Sequence, residues 1–149
     1  MLTKRELLFR KNQSRLYIEN YLLKIQSLIK KECKDIEFLP LETTYEIREK
    51  LLGKKRNGKI IDFQGDELNK IISKIKEDQG EFYVFIDDDW KYCGCFLIDS
   101  LEFINDDFSL GKITDSIQFI DKQFTRRIEL DFTVINNNFE IEYSDFKFS

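Results

Sequence analysis

Apolar positions recur with a helical period as far as residue 80 and with a period of two from residue 81 onward. Ile18, Tyr21, Leu22, Ile25, Leu28 and Ile29 keep the i, i+3, i+4, i+7 spacing of an apolar stripe. The spacing predicts one long helix over 2–31 with a break near Asn12-Gln13-Ser14. Arg10, Lys11, Arg15, Lys24, Lys30 and Lys31 fill much of its remaining surface and read as a solvated basic face. Pro40 closes an irregular stretch. Thr43 and Glu46 have the spacing of a capping box, with Thr43 as N-cap of a short helix carrying Ile47, Leu51 and Leu52, and Gly53 at its C′ position. Asp66 is placed to cap a third helix, which buries Leu68, Ile71, Ile72 and Ile75 and ends near Gly80.

The later half reads as strands. Glu81–Ile86 is apolar on both faces, as a central strand should be. Asp87-Asp88-Asp89-Trp90 interrupts it, and Lys91–Ile98 resumes the same pattern, so the two runs predict a β-hairpin. Leu101–Phe108 is a further strand or an irregular edge, and Ile117–Ile120 is a short strand. In the last hairpin Arg126, Ile128, Leu130, Phe132 and Val134 alternate with Arg127, Glu129, Asp131 and Thr133. Asn136-Asn137-Asn138 turns the chain, and Phe139, Ile141 and Tyr143 alternate with Glu140, Glu142 and Ser144. Phe146 and Phe148 fall on the other phase, which predicts a bulge or a departing chain end at Ser144-Asp145. Helices followed by strands predict an α+β fold, with the N-terminal helices packed on one face of a mainly antiparallel sheet.

Composition narrows the chemistry. A chain of 149 residues forms one domain, 1–149, mainly helical over 1–80 and mainly strands over 81–149. It contains no His, which removes the commonest general base, the commonest metal ligand and the Ser-His-Asp triad. No apolar run reaches the ~20 residues that a helix needs to cross a bilayer. Met1–Glu6 is basic but precedes no apolar signal region, and the three cysteines are an odd number, so reduced thiols in a cytoplasm are expected. The formal net charge is −4, unevenly spread. Residues 1–80 hold 18 Lys and Arg against 13 Asp and Glu, a net +5; residues 81–149 hold 6 against 15, a net −9. A field of that asymmetry steers partners, and the acidic half repels nucleic acid and attracts a basic protein.

Three consecutive carboxylates at Asp87, Asp88 and Asp89 need solvent, a cation or a basic partner. Read as a metal turn, the run offers one or two oxygens to Mg²⁺, and Asp89-Trp90-Lys91 has the D-x-K spacing of some metal-dependent nucleases, which requires a further acid on an adjacent strand. Read as a surface, the turn is solvated or meets a basic protein. Trp90 either packs across the hairpin or stands out as an interface anchor. Cys93 and Cys95 lie on one face of the expected strand, ~6.5–7 Å apart, too far for an easy disulfide and too few for zinc, so they read as buried small hydrophobes. Gly94 between them marks a close approach by another backbone or a large ring. Lys54-Lys55-Arg56-Asn57-Gly58-Lys59 is a basic turn, solvated or in contact with nucleic acid. The outward face of the last hairpin sets Glu129, Asp131, Glu140 and Glu142 against Arg127 alone, and with Asp106, Asp107 and Asp145 it is the most acidic region of the chain.

The stretch from Glu81 to Phe96, with its Asp87-Asp88-Asp89-Trp90-Lys91 turn and Cys93-Gly94-Cys95, resembles the hairpin of small bacterial proteins encoded beside polymorphic toxin genes. It is similar to immunity proteins of contact-dependent growth inhibition systems. That resemblance implies a small non-catalytic cytoplasmic protein that binds and blocks one cognate toxin, often a basic nuclease. It supplies no contact residues; the charge pattern assigns those to Asp87, Asp88, Asp89, Trp90, Glu129, Asp131, Glu140 and Glu142. No cofactor, metal or membrane is expected and nucleic acid is disfavoured. The rival readings are a divalent-metal hydrolase using Asp87, Asp89 and Lys91, and a nucleic-acid module using Lys54, Lys55 and Arg56.

Overall fold

The computed structural model describes residues 2–30, 36–54, 56–57, 63–64, 68–105, 114–135 and 138–148. The first helical stretch divides as its sequence predicts. Helix α1 (Lys4–Gln13) ends in a 3₁₀ turn at Ser14–Leu16, and α2 (Ile18–Leu28) follows. The stripe of α2 is what folds it onto the sheet: Tyr21, Ile25 and Leu28 are fully buried, whereas α1 buries none of its residues. A true capping box sits at the start of α1, where the Thr3 hydroxyl accepts from the Glu6 N–H at 3.1 Å and the Glu6 carboxylate accepts from the Thr3 N–H at 3.3 Å.

Two-residue strand β1 (Glu37–Phe38) leads to helix α3 (Leu41–Leu52). The expected box at Thr43 and Glu46 is corrected: Pro40 is the N-cap, and no side chain caps the helix. Proline's fixed φ suits a helix start and places Thr43 inside the first turn. Gly53 is the C-cap in right-handed conformation, φ −81°, not a left-handed C′ residue. Short strands β2 (Arg56–Asn57) and β3 (Phe63–Gln64) precede helix α4 (Leu68–Lys76), which buries Ile71 and Ile75 and ends short of Gly80. Asp66 lies outside the described residues, as do the side chains of Leu68 and Ile72.

Strand β4 (Gln79–Ile86) is the expected central strand. Lys91–Ile98 is not a strand throughout. Residues Trp90–Cys93 make a single helical turn, α5, and strand β5 covers Phe96–Ser100. The hairpin is therefore real, with Val84 opposite Phe96, but its connection runs through residues 87–95. Leu101–Phe103 is a 3₁₀ turn, and Ile104 bridges to Ile29, so this edge is irregular; residues 106–113 lie outside the described residues. Strands β6 (Ser116–Asp121), β7 (Arg126–Ile135) and β8 (Asn138–Phe148) complete the sheet.

Among the described residues eight strands pair in the order β1-β5-β4-β6-β7-β8-β2, with β3 also on β8. Every pairing is antiparallel. The fold is α+β, with the longer helices in the N-terminal half and the longer strands in the C-terminal half. One face of the sheet carries Phe82, Val84, Ile86, Ile117, Phe119, Ile128, Leu130 and Tyr143 in the main core with α2 and α4. The expectation of packing on one face describes these two helices. Helix α3 covers part of the opposite face, where Ile47 and Leu51 meet Phe85, Cys95 and Ile120. That second core explains the phase change near the C-terminus. The β7–β8 register runs unbroken from Arg126 opposite Lys147 to Ile135 opposite Asn138, so Ser144-Asp145 is no bulge. Phe146 and Phe148 simply supply the second face, while Asp145 points inward to a bidentate bond with Arg126, 2.8 Å from Nε to Oδ1. No described helix is long and apolar enough to cross a membrane.

Candidate functional site

The Asp87–Trp90 segment is built around Lys24 of α2. The Lys24 ammonium donates to Asp87 Oδ2 at 2.7 Å and to Asp89 Oδ2 at 3.1 Å. Burial works against the ammonium, yet the bonds from Asp87 and Asp89 outweigh it and raise its pKa above the ordinary lysine value. Lys24 is thus no part of a solvated basic face; its side chain is 15% exposed. Asp87 has a left-handed backbone, φ 47°, which Asp tolerates better than most residues. Its Oδ1 accepts from the Asp115 and Ser116 N–H groups, each at 2.9 Å, and its own N–H donates to the Ser116 carbonyl at 2.8 Å. Asp89 is buried, and burial lifts its carboxyl above 3.8 against the opposing pull of Lys24. The expected solvated turn holds only for Asp88, whose side chain is 77% exposed and pairs with Lys91 at 2.9 Å.

These bonds explain α5. With Asp87 tied to the start of β6 and Asp89 tied to α2, the Asp89 carbonyl accepts from the Tyr92 and Cys93 N–H groups and closes one helical turn. Four residues are too few to show a period of 3.6, so the apolar run reads as strand. Trp90 is half-buried, edge-on to Phe85 at 5.3 Å, with the Arg48 guanidinium 4.9 Å from its ring centroid. Cys93 and Cys95 do not share a strand face: Cys93 ends α5, whereas Cys95 is buried beside Thr44. Burial pushes both thiols up to about 11, so both stay protonated near neutral pH. Gly94 does mark a close backbone approach. At φ +87° a side chain there would lie 2.5 Å from the Leu39 carbonyl oxygen.

Trp90, Asp87, Asp88 and Lys91 share a groove of about 370 Å³ with Arg48 of α3 and Asp115, Ser116 and Gln118 around β6. A polar chain leads from it across the sheet. Arg48 donates to Gln118 Oε1 at 2.7 Å, Gln118 donates to Glu129 at 3.0 Å, and Arg127 donates to Glu129 at 3.3 Å. Glu129 is therefore half-neutralised within the molecule. Beyond it, Ser116, Asp131 and Glu142 stand in one row across β6, β7 and β8. Asp131 and Glu142 face each other with no ion pair to either among the described residues. Glu140 lies on β8, but its side chain is outside the described residues, as are Asp106 and Asp107; Asp145 belongs to the inner face.

The structure thus brings Asp87, Asp88 and Trp90 to one groove and sets Asp131 and Glu142 in a neighbouring row. Arg48, Lys24, Asp115, Ser116 and Gln118 were not legible as site residues, because each acts through a partner far away in sequence. Of the residues in the metal reading, Asp87 and Asp89 both bond the Lys24 ammonium, and Lys91 pairs with Asp88. No group of three metal-ligating residues occurs among the described residues. Of the basic turn, Arg56 and Asn57 pair with β8, while Lys55, Gly58 and Lys59 lie outside the described residues. No protein-family model, curated protein or solved structure matches this chain.

Proposed function

We propose that this chain is a non-catalytic immunity protein whose acidic sheet face docks against a cationic toxin domain. The observation that carries the reading is the directly opposed pair Asp131 and Glu142, continued toward the groove by the exposed Asp115 and Asp88. Like charges directly opposite on adjacent strands cost stability. A cationic partner offsets that cost, speeds encounter through the field of the −9 half, and excludes wrong partners. The residues proposed for contact are Asp88, Asp131 and Glu142 with Trp90 as the aromatic anchor; Asp87 and Asp89 support the segment from beneath, and Glu129 borders the surface. The toxin's activity stays unspecified; a nuclease fits because a domain that binds nucleic acid is basic.

A growth-rescue assay tests the reading. The C-terminal domain of the protein encoded beside this gene is expressed from an inducible promoter, with and without this chain. Arrest alone and growth on co-expression are expected, with rescue lost for the triple variant Asp88→Asn, Asp131→Asn, Glu142→Gln. A neighbour that is harmless, or rescue that survives the triple variant undiminished, contradicts it.

A further inference from the structure

A second cleft lies on the α1 side of α5, beside the acidic groove, and is built from other residues than those proposed for toxin contact. Between α1 and α5 a cleft of about 400 Å³ is lined by Arg5, Glu6, Phe9, Arg10 and Tyr92. This volume falls within the range of small-ligand sites, well beyond what a lone inorganic anion fills. Phe9 leaves 60% of its surface in solvent at the cleft, so its ring is open to a ligand there. Arg10 donates to the Tyr45 hydroxyl at 2.9 Å, and its guanidinium stands 5.6 Å from the Tyr45 ring and 5.7 Å from the Tyr92 ring. Its charge is met by rings and a neutral hydroxyl, with no carboxylate paired to it among the described residues. Arg5 is exposed and makes no ion pair among them either. Glu6, the one acid of the lining, turns its carboxylate back to the Thr3 N–H.

Tyr92 is held in place by Tyr17, stacked at 4.2 Å with the planes 12° apart, and the Tyr45 hydroxyl donates to the Lys91 carbonyl at 2.8 Å. The cleft wall is therefore packed on the α5 side and open at Phe9. A free aromatic face beside two guanidiniums is the chemistry that takes a planar base with its phosphate: bases stack on rings, and guanidinium forks match phosphate oxygens. An anionic lipid surface fits less well. Leu7, Leu8 and Phe9 are consecutive, so they point around the helix instead of forming the single apolar face an interfacial helix needs.

We propose that this cleft binds a phosphate-bearing nucleotide, free or as one unit of a single strand, with Phe9 stacking on the base and Arg5 and Arg10 holding the phosphate. The test is calorimetry on the whole chain with adenosine 5′-monophosphate, adenosine, inorganic phosphate, a ten-residue thymidine strand and a glutamate decapeptide. Saturable binding of the monophosphate is expected with a Kd of about 1 mM or tighter, at least about tenfold tighter than adenosine or phosphate alone. Phe9→Ala and Arg5→Ala each weaken it about tenfold, and Leu8→Ala, on the same helix but outside the cleft, leaves it unchanged. Both Phe9 and Arg5 are exposed, and circular dichroism confirms that the variants fold. If the strand binds more tightly than the monophosphate and loses affinity with salt, the ligand is single-stranded nucleic acid; if the monophosphate binds at least as tightly, it is a free nucleotide. No saturation by either nucleotide probe, equal binding of phosphate or the glutamate peptide, or full affinity in Phe9→Ala overturns the proposal.

Discussion

Gly94 is a residue whose need is dictated twice, by its φ of +87° and by the Leu39 carbonyl oxygen 2.5 Å from where a Cβ would stand. Gly80 has φ +111° with open space around it, beside the register shift between β4 and β5. The pair separates strain from collision. Gly94→Ala is expected to lower unfolding stability by roughly 3 kcal/mol or more, and Gly80→Ala by only about 1–2 kcal/mol, both read from urea unfolding. Equal losses would mean that the Leu39 contact relaxes freely. Asp89 supplies a pH test. Its folded pKa is raised, so the native state holds that proton more tightly than the unfolded chain does. The contribution is present below the ordinary carboxylate value and is lost as pH rises through the raised folded value. Asp89→Asn is permanently uncharged, so the stability difference shifts toward the variant as pH rises from the ordinary carboxylate value through the raised folded one. Parallel pH–stability curves would refute that direction. Both residues stood out in the sequence, Gly94 for its position between two cysteines and Asp89 as one of three carboxylates. The partner of Asp89 did not, because Lys24 lies 65 residues away and its helical position suits solvent as well as a buried carboxylate.

Elements were legible where their own residues decide them. The α2 stripe, β4, and the alternation of β7 and β8 each carry a period long enough to read, and each forms. Helix α5 and the start of α3 were misread because distant contacts decide them. For α3 the decisive residue is Thr44, next to the expected cap. Its buried hydroxyl donates to the Pro40 carbonyl at 3.1 Å and accepts from the Cys95 N–H at 3.0 Å, joining helix to sheet. Thr44→Val keeps the shape and strands the Cys95 N–H, which should cost about 1–3 kcal/mol, measured by denaturant unfolding. A loss below a few tenths of a kcal/mol would show that the Cys95 N–H finds another acceptor. For α5 the decisive residue is Lys24. Lys24→Met removes both ion pairs, and hydrogen exchange should rise at Tyr92 and Cys93, whose N–H groups bond the Asp89 carbonyl, before it rises in β4 or β6. Uniform acceleration throughout the sheet would mean that Lys24 supports the fold as a whole and not this segment.

At the scale of the molecule, charge follows architecture. The helical half is net +5 and the strand half −9, yet the acidic residues are not equally available. Asp87, Asp89 and Asp145 are consumed by Lys24 and Arg126, and Glu129 by Arg127 and Gln118. The sequence conveys how much negative charge the sheet carries; three-dimensional pairing determines how little of it faces outward unpaired. Asp131 and Glu142 are directly opposed, and folding supplies neither with a cation among the described residues. We therefore propose that these two carboxylates, with Asp88, grip a basic protein. The most direct test is titration calorimetry of the isolated cationic domain against the wild-type chain and against the Asp88→Asn, Asp131→Asn, Glu142→Gln variant, at two salt concentrations. Affinity should fall about a hundredfold or more in the variant, with a shallower salt dependence and no loss of thermal stability. Unchanged affinity in the variant, or binding abolished instead by substitutions on α1, would contradict it.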